Sequence, residues 1–185
     1  FLGSHLAEKL IRQGHNVISF DNKPSKYQID NQKEIIGSIL DLKTLRKAIK
    51  GCDYVYHFAA QSDIDYSVTN IEKTIDINIK GTLNILKLSS EYKVKKILFA
   101  SSVYVDSNLG SFYKISKHTC EKLLEEFWRL YKLKYTIIRF GSLYGTRSTI
   151  NNSIHNIIQS VISNKKIIRY GNGEEIREYV NVEDA

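Results

Sequence analysis

Residues 96–140 read KILFASSVYVDSNLGSFYKISKHTCEKLLEEFWRLYKLKYTIIRF. The run Lys96 to Ala100 is continuously apolar after its first residue, as a buried strand requires, and it leads into the pair Ser101-Ser102. From Phe112 to Tyr131 there is no Pro or Gly, and Ile115, Leu123, Leu124 and Phe127 recur at roughly helical spacing. Tyr135 to Phe140 is again strand-like. Strand, helix and strand in immediate succession predict an α/β fold with a parallel sheet.

The same alternation extends outward. A helix is expected from Ser4 to Gln13, closed by Gly14, then a strand from Asn16 to Phe20 that ends at Asp21. Polar Asn22 to Asn31, with the single proline Pro24, is a loop. Glu34–Ile39 reads as a strand, Leu42–Ile49 as a helix, and Tyr54–Phe58 as a fully buried strand. One long helix is expected from Ile71 to Tyr92. Beyond Gly145 the pattern weakens to a polar loop, a helix near Ile154–Ile162 and a strand at Ile167–Tyr170. A division follows, with a nucleotide-binding domain at 1–145 and the beginning of a substrate-binding region at 146–185.

Composition narrows the function. At 185 residues and 42% hydrophobic, the chain can bury one core, and no apolar run approaches the roughly 20 residues that span a bilayer. Two isolated cysteines, Cys52 and Cys120, make no disulfide framework, so a reduced cytoplasmic setting is expected. The formal charge is +7, yet the lysines are scattered and form no basic stripe interleaved with aromatics, so no nucleic acid and no membrane are expected as partners. No metal site is expected. The chain has no methionine and begins Phe1-Leu2-Gly3-Ser4, on the threshold of a helix, and is expected to be a piece of a longer protein.

Tyr113 and Lys117 are four apart on one helix, so phenol and ammonium share a face. A tyrosine titrating near pH 10 is a poor base at neutral pH, and a neighbouring lysine is expected to favour its phenolate. A hydroxyl from the Ser101-Ser102 pair can hold a substrate oxygen in reach. That is the proton transfer an alcohol carbon needs when hydride passes to or from a cofactor. Gly3, at the mouth of a helix, precedes Asp21 at a strand end by eighteen residues, the rear half of a dinucleotide-binding fingerprint. Asp21 would meet ribose hydroxyls, although Asn22, Lys23 and Lys26 leave room for a 2′-phosphate; the alternative is a turn and a loop-capping carboxylate. Asp41-Leu42 is either a helix cap or an adenine contact. His57-Phe58-Ala59-Ala60 is either close cofactor approach or core packing. Asn78 within an apolar helix needs a buried partner, and Gly81 near it marks tight packing at a site or a plain packing glycine.

These segments resemble, in order, the extended short-chain dehydrogenase/reductases, and within them the nucleotide-sugar epimerase/dehydratase family. The likeness runs through Phe1-Leu2-Gly3-Ser4-His5-Leu6, Asp21-Asn22, His57-Phe58-Ala59-Ala60, Asn78-Ile79-Lys80-Gly81-Thr82, Ser101-Ser102-Val103-Tyr104 and Tyr113-x-x-x-Lys117. It continues through Arg139-Phe140-Gly141-Ser142-Leu143-Tyr144-Gly145 and Gly171-Asn172-Gly173 to Arg177 and Asp184. The resemblance implies a Rossmann-type doubly wound sheet, truncated at both ends, and NAD as cofactor. It implies Tyr113 as acid/base, Lys117 as its partner on the nicotinamide ribose, and Ser102, rather than Ser101, orienting the sugar oxygen. Phe1, Leu2, Gly3, Asp21, Asn22, Asp41, Leu42, Phe58, Ala59, Ala60 and Asn78 would line the cofactor with Tyr113 and Lys117. Ser142 and Arg177 would join Ser102 at the substrate, a nucleotide-diphosphate sugar. Epimerisation, with dehydration or reduction as alternatives, and a homodimer are the implied activity and assembly; a non-catalytic nucleotide-binding relative is the remaining alternative.

Three departures bear on specificity. Only eight residues separate Tyr104 from Tyr113, where most relatives have a longer, proline-containing loop. Gly141-Ser142 stands where many epimerases carry an aromatic-Asn pair, and Val103-Tyr104 replaces the acidic pair that dehydratases use. The leading strand of the order 3-2-1-4-5-6 has no counterpart, so weak folding and weak cofactor binding are expected of the chain alone.

Overall fold

A computed structural model describes residues 1–185 except 28, 31, 151, 165, 168–171, 173 and 175, with the backbone alone at 164. Of the strand expected at Ile167–Tyr170, residues 168–170 fall outside those described.

The chain alternates helix and strand. Helix α1 (Leu2–Arg12) leads to strand β1 (Ile18–Asp21), β2 (Lys33–Ile36) and helix α2 (Leu42–Ile49). Strand β3 (Tyr54–His57) is followed by helices α3 (Ile64–Thr69) and α4 (Ile71–Ile75), a π-helical turn (Asp76–Lys80) and α5 (Gly81–Glu91). Then come β4 (Lys96–Ser102), a 3₁₀ turn (Val103–Asp106), helix α6 (Ser111–Tyr131) and β5 (Lys134–Phe140). Short β6 (Ser142–Tyr144), helix α7 (Ser153–Asn164) and β7 (Tyr179–Asn181) complete it.

All strand pairs are parallel, in three sheets: β1–β2, β3–β4–β5 and β6–β7. The fold is the Rossmann-type arrangement of parallel strands and helices. The longest ladder runs β4 against β5 from Lys96↔Lys134 to Ser102↔Phe140, which carries Ser101 and Ser102 to the carboxyl ends of the strands. In open α/β sheets ligands collect at those ends.

One apolar cluster holds the elements together: Leu45 and Ile49 of α2, Leu86 and Leu88 of α5, Ile97 and Phe99 of β4, and Leu124 of α6. Two expectations are corrected. Among the described residues strand β3 pairs with β4 alone, at an edge of its sheet, and Tyr54 and Tyr56 on one face are exposed rather than buried. The expected single helix from Ile71 is broken in register by the π turn at Asp76–Lys80. Gly81 begins α5 directly after that turn, and a Cβ there would lie 2.3 Å from Ile39 Cδ1. Gly81 is therefore a packing glycine that lets α5 close on Ile39.

Candidate active site

The β4–α6 connection is held tightly. Gly110 caps α6 with φ 94°, where a Cβ would press on Tyr104 Cβ at 3.0 Å. Ser107 Oγ donates to the Tyr104 carbonyl (3.1 Å) and accepts from Leu109 N–H (3.1 Å), and Lys114 Nζ donates to the Ser107 carbonyl (2.8 Å). Behind it, the buried Glu121 carboxylate accepts from Ser101 Oγ (2.5 Å) and from both Arg139 Nε (2.9 Å) and Nη2 (2.7 Å); Arg139 also pairs with Asp106. Burial opposes the Glu121 charge, yet the Arg139 and Ser101 hydrogen bonds outweigh it and hold its carboxyl below the usual range. One carboxylate so ties α6 to β4 and β5, and through Arg139 to the connection.

Within this frame Ser102, Tyr113 and Lys117 come together. The Ser102 hydroxyl interacts with the Tyr113 phenol, while Ser101 is committed to Glu121. Lys117 is only 3% exposed; its Nζ donates to the Ala100 carbonyl at 2.7 Å and lies 4.8 Å from the centre of the Phe99 ring. Burial lowers the Lys117 ammonium from 10.5 to about 8. The expected lowering of Tyr113 is not what the geometry gives. Burial raises the phenol above its ordinary value and Ser102 only partly opposes this. Lys117 Nζ lies 5.7 Å from the centre of the Tyr113 ring and donates to the Ala100 carbonyl, and its charge does not offset the burial of the phenol.

The other expected site residues divide. Phe1 is exposed at the start of α1, with Leu2 half-buried and Gly3 exposed behind it; a Cβ at Gly3 would meet only Phe58 at 3.7 Å. That contact brings the α1 N-terminus to the end of β3, beside half-buried Phe58 and Ala60 and exposed Ala59, although close packing does not itself demand the glycine. Asp21 and Asn22 are exposed at the end of β1, with Asp21 Oδ1 accepting from Lys23 N–H at 3.2 Å. Asp41 caps α2, accepting from Lys43 N–H (3.0 Å) and Thr44 Oγ1 (2.5 Å), and Leu42 is exposed beside it. Asn78 is buried and saturated: Oδ1 accepts from Gln61 N–H (2.7 Å), and Nδ2 donates to the Gln61 carbonyl (3.0 Å) and Ser116 Oγ (2.8 Å). Ser116 in turn donates to the Tyr113 carbonyl at 2.7 Å, so Asn78 braces the helix that presents the tyrosine. Ser142 is half-buried, its N–H donating to the Glu178 carbonyl at 2.8 Å; Arg177 is exposed and forms no ion pair among the described residues. Glu121 and Ser116 escaped the sequence reading. The signal for Glu121 was its position four residues after Lys117 on the same helix face.

Among the described residues no group of His, Cys, Asp and Glu could hold a metal, and no helix is long and apolar enough to cross a membrane. A family model described as the NAD dependent epimerase/dehydratase family matches residues 1–185.

The chain belongs to that family.

Three of its members frame the likeness. A Methanocaldococcus jannaschii relative, whose given name proposes a UDP-glucose 4-epimerase, is 34% identical over the whole chain, which spans 68% of that protein. The crystal structure of the Thermotoga maritima UDP-glucose 4-epimerase with UDP-glucose superposes with a TM-score of 0.92 at 30% identity, the chain covering 67% of it. The Thermus thermophilus UDP-glucose 4-epimerase complex with NAD gives 0.87 at 26% identity, with 66% covered. In each case all of this chain is matched. Relatives named as a decarboxylase and a dehydratase of nucleotide sugars match as well, so the family membership supports enzyme activity on such sugars without selecting the outcome.

Proposed function

We propose that this chain carries the NAD-binding and proton-transfer part of an epimerase that inverts C4 of a nucleotide-diphosphate sugar. The observation that carries this reading is the buried Lys117 ammonium 5.7 Å from the centre of the Tyr113 ring, with Ser102 at the carboxyl end of β4 acting on the same phenol. The residues fit the cofactor: the α1 N-terminus (Phe1, Leu2, Gly3), the exposed Asp21 carboxylate with Asn22, and the small Ala59 and Ala60 border the ends of parallel strands. Asp41 and Leu42 lie exposed at the start of α2 and would meet the cofactor's adenine. Asn78 acts through its hydrogen bonds to Ser116 and the Gln61 backbone.

When bound, NAD would supply reversible hydride chemistry at the sugar carbon and, in its oxidised form, a positive charge. Tyr113 takes the hydroxyl proton and later gives it back. Ser102 donates to the same oxygen and fixes it in front of the phenol. Lys117 is positively charged below about pH 8 and would bind the nicotinamide ribose, while the burial that holds the phenol protonated is opposed by Ser102. Arg177 would take the nucleotide diphosphate through its paired donors, with Ser142 nearer the sugar. Residues 1–145 form the nucleotide-binding domain in this reading and 146–185 open the substrate region, although β6 and β7 pair across that boundary. The protein is cytoplasmic and a homodimer, formed through the outer faces of α4 and α6, where Ile71, Ile75 and Ile115 are exposed.

The relative named as a dehydratase supports one second reading, a dehydratase or reductase of the same sugars, against which stands Val103-Tyr104 in place of the acidic pair that dehydratases use. NMR analysis of products from UDP-, GDP- and dTDP-sugars, with and without added NAD, separates the readings. An isomer of the substrate supports epimerisation. A 4-keto-6-deoxy sugar or net consumption of reduced cofactor moves the assignment to the second reading; NAD bound without turnover makes the chain a nucleotide-binding module.

A further inference from the structure

The turn after β6 reaches back across the fold to the loop after β1. In Gly145-Thr146-Arg147 the Arg147 backbone is left-handed at φ 64°, a conformation that a long side chain seldom accompanies. The Arg147 side chain is only 19% exposed; its Nη2 pairs with Glu8 of α1, and its Cζ lies 4.7 Å from the centre of the Tyr27 ring. A planar guanidinium can pair with a carboxylate and cover an aromatic face at once, which a lysine ammonium does less well. His5, one turn before Glu8, adds a second tie: its Nε2 donates to the Thr146 carbonyl at 3.0 Å.

Tyr27 is the far end of a short run of hydrogen bonds that begins at Asp21. Asp21 Oδ1 accepts from Lys23 N–H (3.2 Å), Ser25 N–H donates to Glu34 Oε1 of β2 (2.7 Å), and Ser25 Oγ accepts from Tyr27 N–H (3.1 Å). The Tyr27 side chain is 42% exposed, so apolar burial holds it weakly and the guanidinium over its ring carries much of the hold. Left-handed backbone at a residue other than glycine persists where its surroundings over-determine it. Here His5 fixes Thr146, and Gly145 packs so closely that a Cβ would stand 2.7 Å from Val182 Cγ1.

We infer that Arg147 is a positioning residue for the cofactor: it clasps the loop that carries Asp21 and Asn22 to α1, the helix whose N-terminus borders the same ligand. The inference rests on the NAD reading of the proposed function and adds a residue from outside the nucleotide-binding segment. Loop and helix both lie within residues 1–145, whereas Arg147 opens the segment assigned to the substrate region. The adenosine end of the dinucleotide is thus framed by two elements that a third, later in the chain, holds in register.

Amide exchange followed by NMR in the full 185-residue chain tests the clasp without cofactor. Two variants release it from opposite sides. Arg147→Asn keeps a residue at home in left-handed backbone but is too short to reach Glu8 and Tyr27; Tyr27→Leu keeps an apolar side chain and removes the ring. In both, the amides at positions 23, 25 and 27 are expected to exchange about tenfold faster while those of β4 keep their protection. Tyr27→Phe keeps the ring face and is expected to match the wild type. Should Arg147→Asn lose the β4 protection, the two Tyr27 variants decide, because that side chain is largely exposed. In an NMR titration, NAD is expected to bind Arg147→Asn and Tyr27→Leu about fivefold more weakly than the wild type. Loop amides unmoved in both variants overturn the inference, and so does a freed loop with NAD affinity unchanged. A wild type that binds no NAD would sink the proposed function instead, and the loop amides alone would then decide for or against the clasp.

Discussion

Lys117 is where the site and the stability of the fold meet. Its ammonium titrates near 8 in the folded chain against 10.5 for an ordinary lysine, because burial disfavours the charge. Between those values the unfolded chain binds more protons, so the unfolding free energy rises as pH increases from about 8 to 10.5. Below 8 the full penalty is present, on the order of 3 kcal/mol; above 10.5 it is gone. Lys117→Met removes it. Urea unfolding is expected to show the variant gaining on the wild type at pH 7, with the difference shrinking through that window. A difference that stays flat with pH would place the lysine in a wetter environment than the one described. The spacing of Tyr113 and Lys117 made the pair legible in the sequence, but not the direction of the ammonium. That direction depends on Ala100 and Phe99, brought in by β4 from a different part of the chain.

At the scale of elements, boundaries were legible where local chemistry sets them. Helix α2 runs from Leu42 to Ile49 as read, since Asp41 supplies its own cap at Lys43 and Thr44. Asp41→Ala is therefore expected to cost about 1 kcal/mol in thermal or urea unfolding, and no loss would show that the cap is redundant. The π turn before Gly81 was not legible, because one extra residue in a turn barely disturbs the apolar spacing of Ile71, Ile75 and Ile79. Strands β6 and β7, three residues each, exist through their mutual pairing and carry no local pattern. The close approach of Gly81 to Ile39 gives a sharper test. Gly81→Ala gains helix propensity but drives a methyl into Ile39, for a net loss of about 1–2 kcal/mol. Combined with Ile39→Val, which opens space, the losses are expected to be less than additive; strict additivity would mean that the two residues do not press on each other.

Over the whole molecule, the parallel sheets and the order of motifs were readable because each strand end carries its own chemical marker: Asp21, His57 and Ser102. What bound Ser102, Tyr113 and Lys117 into one frame was not. Glu121 and Arg139 are eighteen residues apart in sequence yet share two hydrogen bonds, and Asn78 reaches Ser116 across thirty-eight. Assembly belongs to this scale too. The exposed Ile71, Ile75 and Ile115 lead to an expected mass in light scattering of twice 21.3 kDa, and a monomer at high protein concentration would remove the proposed dimer. The most direct test of the account remains a single atom. With a nucleotide sugar found to support the proposed turnover, Tyr113→Phe deletes the phenol oxygen and leaves the ring, Lys117 and the fold in place. Turnover measured by NMR is predicted to fall by about a hundredfold or more at unchanged thermal stability. Turnover within a few-fold of the wild type would contradict the assignment of proton transfer to Tyr113.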